Sequence, residues 1–307
     1  MCTTMETKGI RKRRFSTGAY HMMLLPAVIL VLIYSYGPIM GIAIAFQDFV
    51  PSRGWFGSDW IGLDNFKYVF GMPDTMKVIG NTLLISFMKI IVGIIFPLTL
   101  AILLNEVKNV VFKRSVQTIV YMPYFLSWII LSGILIDILS PSGGIVNNFL
   151  QFLGMEPIYF LGDGGWFRFI IVASHIWKEL GFDTIVYLAA ILSIDKSLYE
   201  AAALDGAGHM KQAWHITLPG MRPIIVLLSV LSLGNVLNAG FDQVFNLYSP
   251  QVYSSGDILD TYVFRIGMEQ MQYGVATAVG LFKSIVSLIF ICVSYLLAYR
   301  IANYRIF

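Results

Sequence analysis

Charge is what this chain has least of. Asp, Glu, Lys and Arg make up 13% of its 307 residues, about half the roughly 25% of a soluble domain. A water-soluble globule of this length is thereby excluded. With 57% of residues hydrophobic, the chain reads as a membrane protein. Net charge is only +3, and no basic block is long enough to track a nucleic-acid backbone. Only two cysteines occur, Cys2 near the start and Cys292 in an apolar run, so neither a structural disulfide nor a cysteine-ligated metal is expected. No G-x-x-x-x-G-K-[ST] phosphate loop and no H-E-x-x-H zinc pattern exist, so the chain carries no nucleotide-hydrolysing or zincin site. Of the four histidines, His21, His175, His209 and His215, only His175 falls well inside an apolar run, which argues against a membrane protease. Low-complexity tracts, internal repeats, a selectivity filter and paired inverted halves are all missing.

What the chain has in quantity is apolar runs. Spanning a bilayer takes about 20 mainly apolar residues. Six segments qualify, at 22–46, 78–104, 115–139, 167–192, 223–247 and 276–299. They predict an all-α polytopic protein with a tail over 1–21, a six-helix transmembrane domain over 22–307 and a polar loop over 193–222. Pro38, Pro97, Pro123, Gly181 and Gly234 lie inside these runs, as spanning helices tolerate. The first run exceeds the 7–15 apolar residues of a cleaved leader, roughly, and no small-x-small site follows it, so it reads as a retained span.

Lysine and arginine set the orientation. Thirteen of the 21 basic residues fall on one side of the predicted topology: the cluster Lys8 to Arg14, then Lys108, Lys113, Arg114, Lys196, Lys211, Arg222, Arg300 and Arg305. The other side holds Arg53, Lys67, Lys77, Arg168 and Arg265. The positive-inside rule therefore places both termini and the 193–222 loop in the cytoplasm. Two outer connections read as surface helices, one from a capping Asp64 through Phe70 and one over 144–153 with a glycine stop.

Polar residues inside spans are costly and usually face a wet cavity or a neighbouring helix. On the fifth run Asn235, Asn238, Asp242 and Asn246 are spaced for one helical stripe, with Gln243 and Phe245 beside them. On the fourth, His175, Glu179, Asp183 and Tyr187 recur every four residues, with Trp177 and Lys178 adjacent. Amide, carboxylate and aromatic groups in such stripes suit a hydroxyl-rich ligand. Hydrogen bonding between helices is the competing explanation for both. Lys178 fits an internal charge cluster with Glu179 and Asp183. Lys89 and Lys283 would pair with carboxylates or snorkel.

The polar loop is the most specific feature. Asp195 can cap a helix to about Asp205 that carries Leu198, Tyr199, Glu200 and a thin alanine surface. Gly206 and Gly208 permit a sharp turn. A second helix then carries Met210, Ala213, Trp214 and Thr217 toward one side, and Pro219 stops it. The result is a rigid bracket with an apolar nose and one acid.

Glu200-Ala201-Ala202, three residues, Gly206, nine residues, then Ile216-Thr217-Leu218-Pro219 resembles the signature loop of permease subunits in binding-protein-dependent ATP-binding-cassette (ABC) importers. Further stretches resemble the branch that imports oligosaccharides of the uronate and alginate type. They are Asn81-Thr82, Asn105-Glu106, Gln117, Tyr121 to Trp128, Trp177-Lys178, Phe241 to Gln243 and Asp260 to Arg265. The resemblance implies a type I importer permease fold in which Glu200, Ala201, Ala202, Gly206, Ile216, Leu218 and Pro219 meet an ATPase subunit. It also implies a second related permease subunit, two ATPase subunits that carry ATP and Mg²⁺, and an extracellular sugar-binding protein or lipoprotein. No cofactor, metal or catalytic residue is then expected on this chain. A permease for glycerol phosphate, amino acids or a metal, and a channel or secondary transporter, stay open as alternatives.

Overall fold

The computed structural model describes residues 17–302, so Cys2, the basic cluster at 8–14, the tail up to residue 16 and Arg305 lie outside the described residues. The described chain is mostly helical, with one short ladder, in which Gln47–Asp48 pairs antiparallel with Asp59–Trp60. Four helices are long and apolar enough to cross a membrane: Tyr20–Phe46, Thr75–Glu106, His209–Gly234 and Tyr273–Arg300. A fifth crossing is made if the bent pair Val110–Phe125 and Trp128–Leu139 counts as one. The remaining long helix, Gly164–Leu192, has 29 residues but carries Arg168, Lys178, Glu179 and Asp183. It lies against Thr75–Glu106 in the most extensive helix pair of the fold, so its polar groups meet protein before lipid.

The first span changes pitch along its length. An α-helical start, Thr17–Val31, widens to a π turn over Leu32–Tyr36 and tightens to a 3-10 helix over Gly37–Phe46. Pro38 offers no N–H to the α ladder, which accounts for the change of pitch. The apolar side chains of this rod are almost all exposed. It ends in the ladder, where Asn65 Nδ2 donates to Ala45 O and Gln47 O, both at 3.0 Å. That amide anchors the surface helix Asp64–Gly71, whose Asp64 lies in the first turn and makes no cap bond. Its carboxylate instead meets Lys67 at 2.7 Å.

The expected 115–139 span is bent by 104°. Pro123 interrupts the ladder, Leu126 is extended, and Ser127 Oγ accepts from Ile130 N at 3.4 Å to cap a new helix. The Tyr124 carbonyl freed by this break accepts Lys178 Nζ at 2.6 Å, and the ammonium also lies over the Tyr124 and Trp128 rings at 5.1 and 5.7 Å. Lys178 is thus in direct contact with a carbonyl and two aromatic faces, and Glu179 of the expected charge cluster acts on it from beyond ion-pair distance.

The connection after Leu139 forms the surface helix Ile145–Phe152, with Gly154 at φ +79 closing it. Asn147 is fully buried and organises the segment. Its Nδ2 donates to Leu139 O, Ser140 O and Ile158 O, and its Oδ1 accepts from Ile158 N at 2.7 Å. Asn147→Leu leaves four backbone groups without that partner and should cost about 3 kcal/mol. Limited proteolysis between Ser140 and Ile158 should become several-fold faster, and unchanged cleavage would dismiss this anchoring role.

Three apolar clusters line up along the bundle. One joins Ala101, Leu104, Tyr187, Leu188, Ile191 and Met221 at the end that carries the 193–222 loop. A second packs Ile85, Phe167, Ile171, Ala239, Val244 and Ile258. The third packs Val69, Val78, Val236, Leu237, Leu259, Tyr262 and Val279 at the opposite end.

Candidate functional site

The 193–222 loop folds as a braced hairpin. Asp195 caps Lys196–Leu204 by accepting from Ser197 N at 2.9 Å, and that bond holds its carboxyl below the usual carboxylate range. At the other end Gly206 takes φ +77. Ala207 N then donates to Ala202 O at 2.8 Å and Gly206 N to Ala203 O at 3.1 Å. These two bonds are the paired closure of a Schellman turn, which needs a left-handed residue and so favours glycine at this offset after the alanines. Tyr199 OH meets Thr217 Oγ1 at 2.9 Å and Gln212 Nε2 donates to Ala207 O at 2.9 Å, tying the two arms together. His209 Nδ1 meets Glu106 Oε2 at 2.6 Å, joining the hairpin to the end of Thr75–Glu106.

Glu200, Ala201, Gly206 and Pro219 are exposed, and Ala202, Ile216 and Leu218 are half-buried. Glu200 makes no ion pair or side-chain hydrogen bond among the described residues. Leu198, Leu204, Met210 and Trp214 stand out around it, Leu204 at 90% exposure. The second arm differs from expectation in two ways. Met210 and Trp214 face outward, whereas Ala213 and Thr217 are buried against the first arm. Pro219 does not stop the helix: His209–Gly234 is continuous. A π turn over Ala213–Thr217, with Leu218 N donating to Ala213 O, widens the coil just ahead of the proline ring. That relieves the clash with the carbonyl of the preceding turn.

A second polar centre lies inside the bundle. The fifth apolar run is not one helix. It stops at Gly234, loses helical form over 235–240, and resumes as Phe241–Leu247. Asn235 Nδ2 takes the carbonyl of Leu231 at 3.1 Å, and Gly240 sits at φ +95, a conformation that disfavours any other residue. Lys89 reaches the break from Thr75–Glu106 and donates to Ala239 O at 2.6 Å and Gln243 Oε1 at 2.5 Å. Gln243, fully buried, passes the connection on through Nε2 to Ile171 O at 2.7 Å and Ser174 Oγ at 2.8 Å. From the other side Lys283 pairs with Asp260 and donates to Asn238 Oδ1 at 2.7 Å. Lys283 therefore does meet a carboxylate, whereas both acceptors of Lys89 are neutral.

Beside the break opens a cleft of about 320 Å³ lined by Ser86, Lys89, His175, Asp183, Asn235 and Asn238 among others. Only Asn235, Asn238 and Asp183 of the predicted path residues meet there. Asp242 is exposed and does not line this cleft, and Asn246 lines a separate hollow of about 350 Å³ with Tyr159, Tyr248 and Ser249. The expected stripe was a coincidence of spacing across a broken helix. On Gly164–Leu192 the every-four repeat also divides. Trp177 is exposed, Glu179 is half-buried and does not line the cleft, and Tyr187 is sealed in the apolar cluster with Ala101 and Met221. Each step of four overshoots a full turn by about 40°, so such a row spirals off one face. Gln243 and Ser86 join the site although sequence spacing does not mark them as central. The signal for Gln243 was Lys89 itself, a cation in an apolar span that must find acceptors.

Residues 93–305 match the sequence model of the binding-protein-dependent transport system inner membrane component. The chain is similar to the protein LplB of Bacillus subtilis (strain 168), with 43% identity over 271 residues covering 88% of this chain and 85% of that one. It is also similar to the polygalacturonan/rhamnogalacturonan transport system permease protein YteP of the same organism, with 42% identity over 283 residues covering 92% and 87%. Among solved structures, a bacterial alginate ABC transporter in complex with an alginate pentasaccharide-bound periplasmic protein superposes with TM-score 0.86. That match has 39% sequence identity and covers 92% of this chain and 95% of the other.

Proposed function

The chain belongs to the binding-protein-dependent transport system inner membrane components, and from that membership we propose how it works as the permease subunit of an ABC oligosaccharide importer. Its cargo is an acidic oligosaccharide released from a polysaccharide, of the uronate or alginate type. It crosses the membrane six times, with Gly164–Leu192 and the bent 110–139 pair completing the count, and both termini lie in the cytoplasm. It pairs with a second, related permease subunit and with two ATPase subunits that bind ATP and Mg²⁺. An extracellular sugar-binding protein or lipoprotein delivers the cargo, and the chain itself does no chemistry.

One observation carries the coupling role. The hairpin presents a free acid, Glu200, amid exposed apolar side chains, while Tyr199 braces its two arms to each other and His209 ties it to the bundle. Such a bracket can pass a rigid-body displacement from a nucleotide-driven subunit to the spans. The similarity to YteP and to the alginate transporter supports the cargo class.

The test is to purify the complex, reconstitute it, and screen oligosaccharide-loaded binding protein for stimulation of ATP turnover. Stimulation by uronate oligomers and not by amino acids or glycerol phosphate is the expected result. Conduction without ATPase partners would overturn the proposal. Within the cleft, Asn238→Leu should lower uptake about fivefold while the complex still assembles, because Lys283 keeps Asp260 as its partner. Loss of assembly would instead make Asn238 a packing residue.

A further inference from the structure

Granted the oligosaccharide importer role, we propose that Lys89 and Ser86 form a carboxylate subsite in the 320 Å³ cleft, where the permease itself reads the acidic group of its cargo. The two residues are three apart on Thr75–Glu106, hence neighbours on one helical face, and both line the cleft. Lys89 is buried at 6% exposure, and its two acceptors, Ala239 O and Gln243 Oε1, are neutral. An ammonium has three N–H donors, so one is left over. A cation within a span ordinarily answers an anion; Glu179 acts on this one only from beyond ion-pair distance, and no carboxylate of the described residues forms a salt bridge with it. Ser86 Oγ is buried at 3% exposure and has no hydrogen-bond partner among the described residues. A carboxylate placed between them would accept from both, which satisfies the orphaned hydroxyl and neutralises the charge.

The rest of the cleft fits a sugar ring around that carboxylate. Asn235, Asn238 and Ser232 offer donors and acceptors to hydroxyls, and Ile90, Leu228 and Leu231 offer an apolar wall. Asp183, the cleft's own acid, forms no salt bridge with Lys89 among the described residues, and His175 is the other titratable group lining it. The volume is at the low end of the 300–1,000 Å³ or so of ligand sites, so the cleft takes part of an oligomer and not the whole of it.

The experiment uses the full complex in proteoliposomes with its binding protein at saturation, and reads uptake of a uronate trisaccharide against its carboxyl-reduced, neutral counterpart. If wild-type complex takes up neither, the importer reading fails, and the fault is not with this site. With wild-type uptake established, Lys89→Gln should lower the acidic-to-neutral uptake ratio about tenfold, whatever happens to the absolute rates, and Ser86→Ala about threefold. A purely structural role for Lys89 would depress both sugars alike and leave the ratio unmoved, which overturns the proposal. Should Lys89→Gln not assemble, Ser86→Asp decides. A carboxylate supplied one turn away answers Lys89 from within the chain and should lower the ratio at least tenfold. An unchanged ratio in Ser86→Asp equally overturns it.

Discussion

Gly206→Leu is expected to reduce transport-coupled ATP turnover to below about a tenth of wild type while the chain still inserts in the membrane. Two effects combine. The left-handed conformation costs a non-glycine residue about 1–2 kcal/mol. Leaving that conformation breaks the two bonds that cap the Ala202 and Ala203 carbonyls, so the arm bearing Glu200 loses its angle to the bundle. The second effect is external. A Cβ at Gly206 would meet nothing within 4 Å in this chain, so any bulk there projects outward, toward the proposed ATPase partner. Two milder variants separate these contributions. Gly206→Asn tolerates the left-handed region but is bulky, whereas Gly206→Ala is small but strained. If docking is the sensitive step, Asn should fail and Ala should keep most turnover. The reverse order would make backbone geometry the cause. Turnover at the wild-type level in Gly206→Leu would remove the hairpin from the coupling path altogether. Glu200→Gln should lose an intermediate amount, about tenfold, as for one charge-assisted hydrogen bond to a basic partner.

The hairpin was legible because everything that shapes it is local. A capping aspartate, three small residues and a glycine at the Schellman position specify the turn within about a dozen residues, and no distant contact is needed. The interior was less legible for the opposite reason. Across 223–247 apolar residues continue on both sides of each polar one, and Val236, Leu237 and Ala239 are as buried as any helical core position. What interrupts the helix there is a set of demands from elsewhere: Lys89 for acceptors, Lys283 for Asn238, and Ile291 packed so close that a Cβ at Gly234 would approach it to 3.0 Å. A single sequence shows the polar residues but not which distant lysine claims them. The 115–139 bend lies between these cases. Pro123 was visible, yet a proline alone is tolerated in a span. Only with Ser127 capping a second helix does the chain turn through 104°. The acceptor of Lys178 is hidden for the same reason, since it exists only because the bend frees the Tyr124 carbonyl.

Gln243→Leu should be the most destabilising single change in the interior, at about 3–5 kcal/mol, because it strands a buried cation. Lys89 would keep Ala239 O but lose its second acceptor, and the connection to Ile171 and Ser174 would vanish with the amide. Thermal unfolding of the detergent-solubilised complex is the measurement, with a fall in midpoint of several degrees as the expected outcome. The double variant Lys89→Met with Gln243→Leu is the informative control. Replacing both partners by apolar side chains of similar size removes the desolvation cost along with the bond, so the pair should regain at least half of the lost stability. A double variant no more stable than Gln243→Leu would mean that the amide's bonds to Gly164–Leu192, and not the burial of charge, hold the break in place. The same protein separates architecture from recognition. If Lys89 serves only to fasten the break, the repacked complex should import acidic and neutral oligomers in the wild-type ratio. If its third N–H meets cargo, stability returns and discrimination does not.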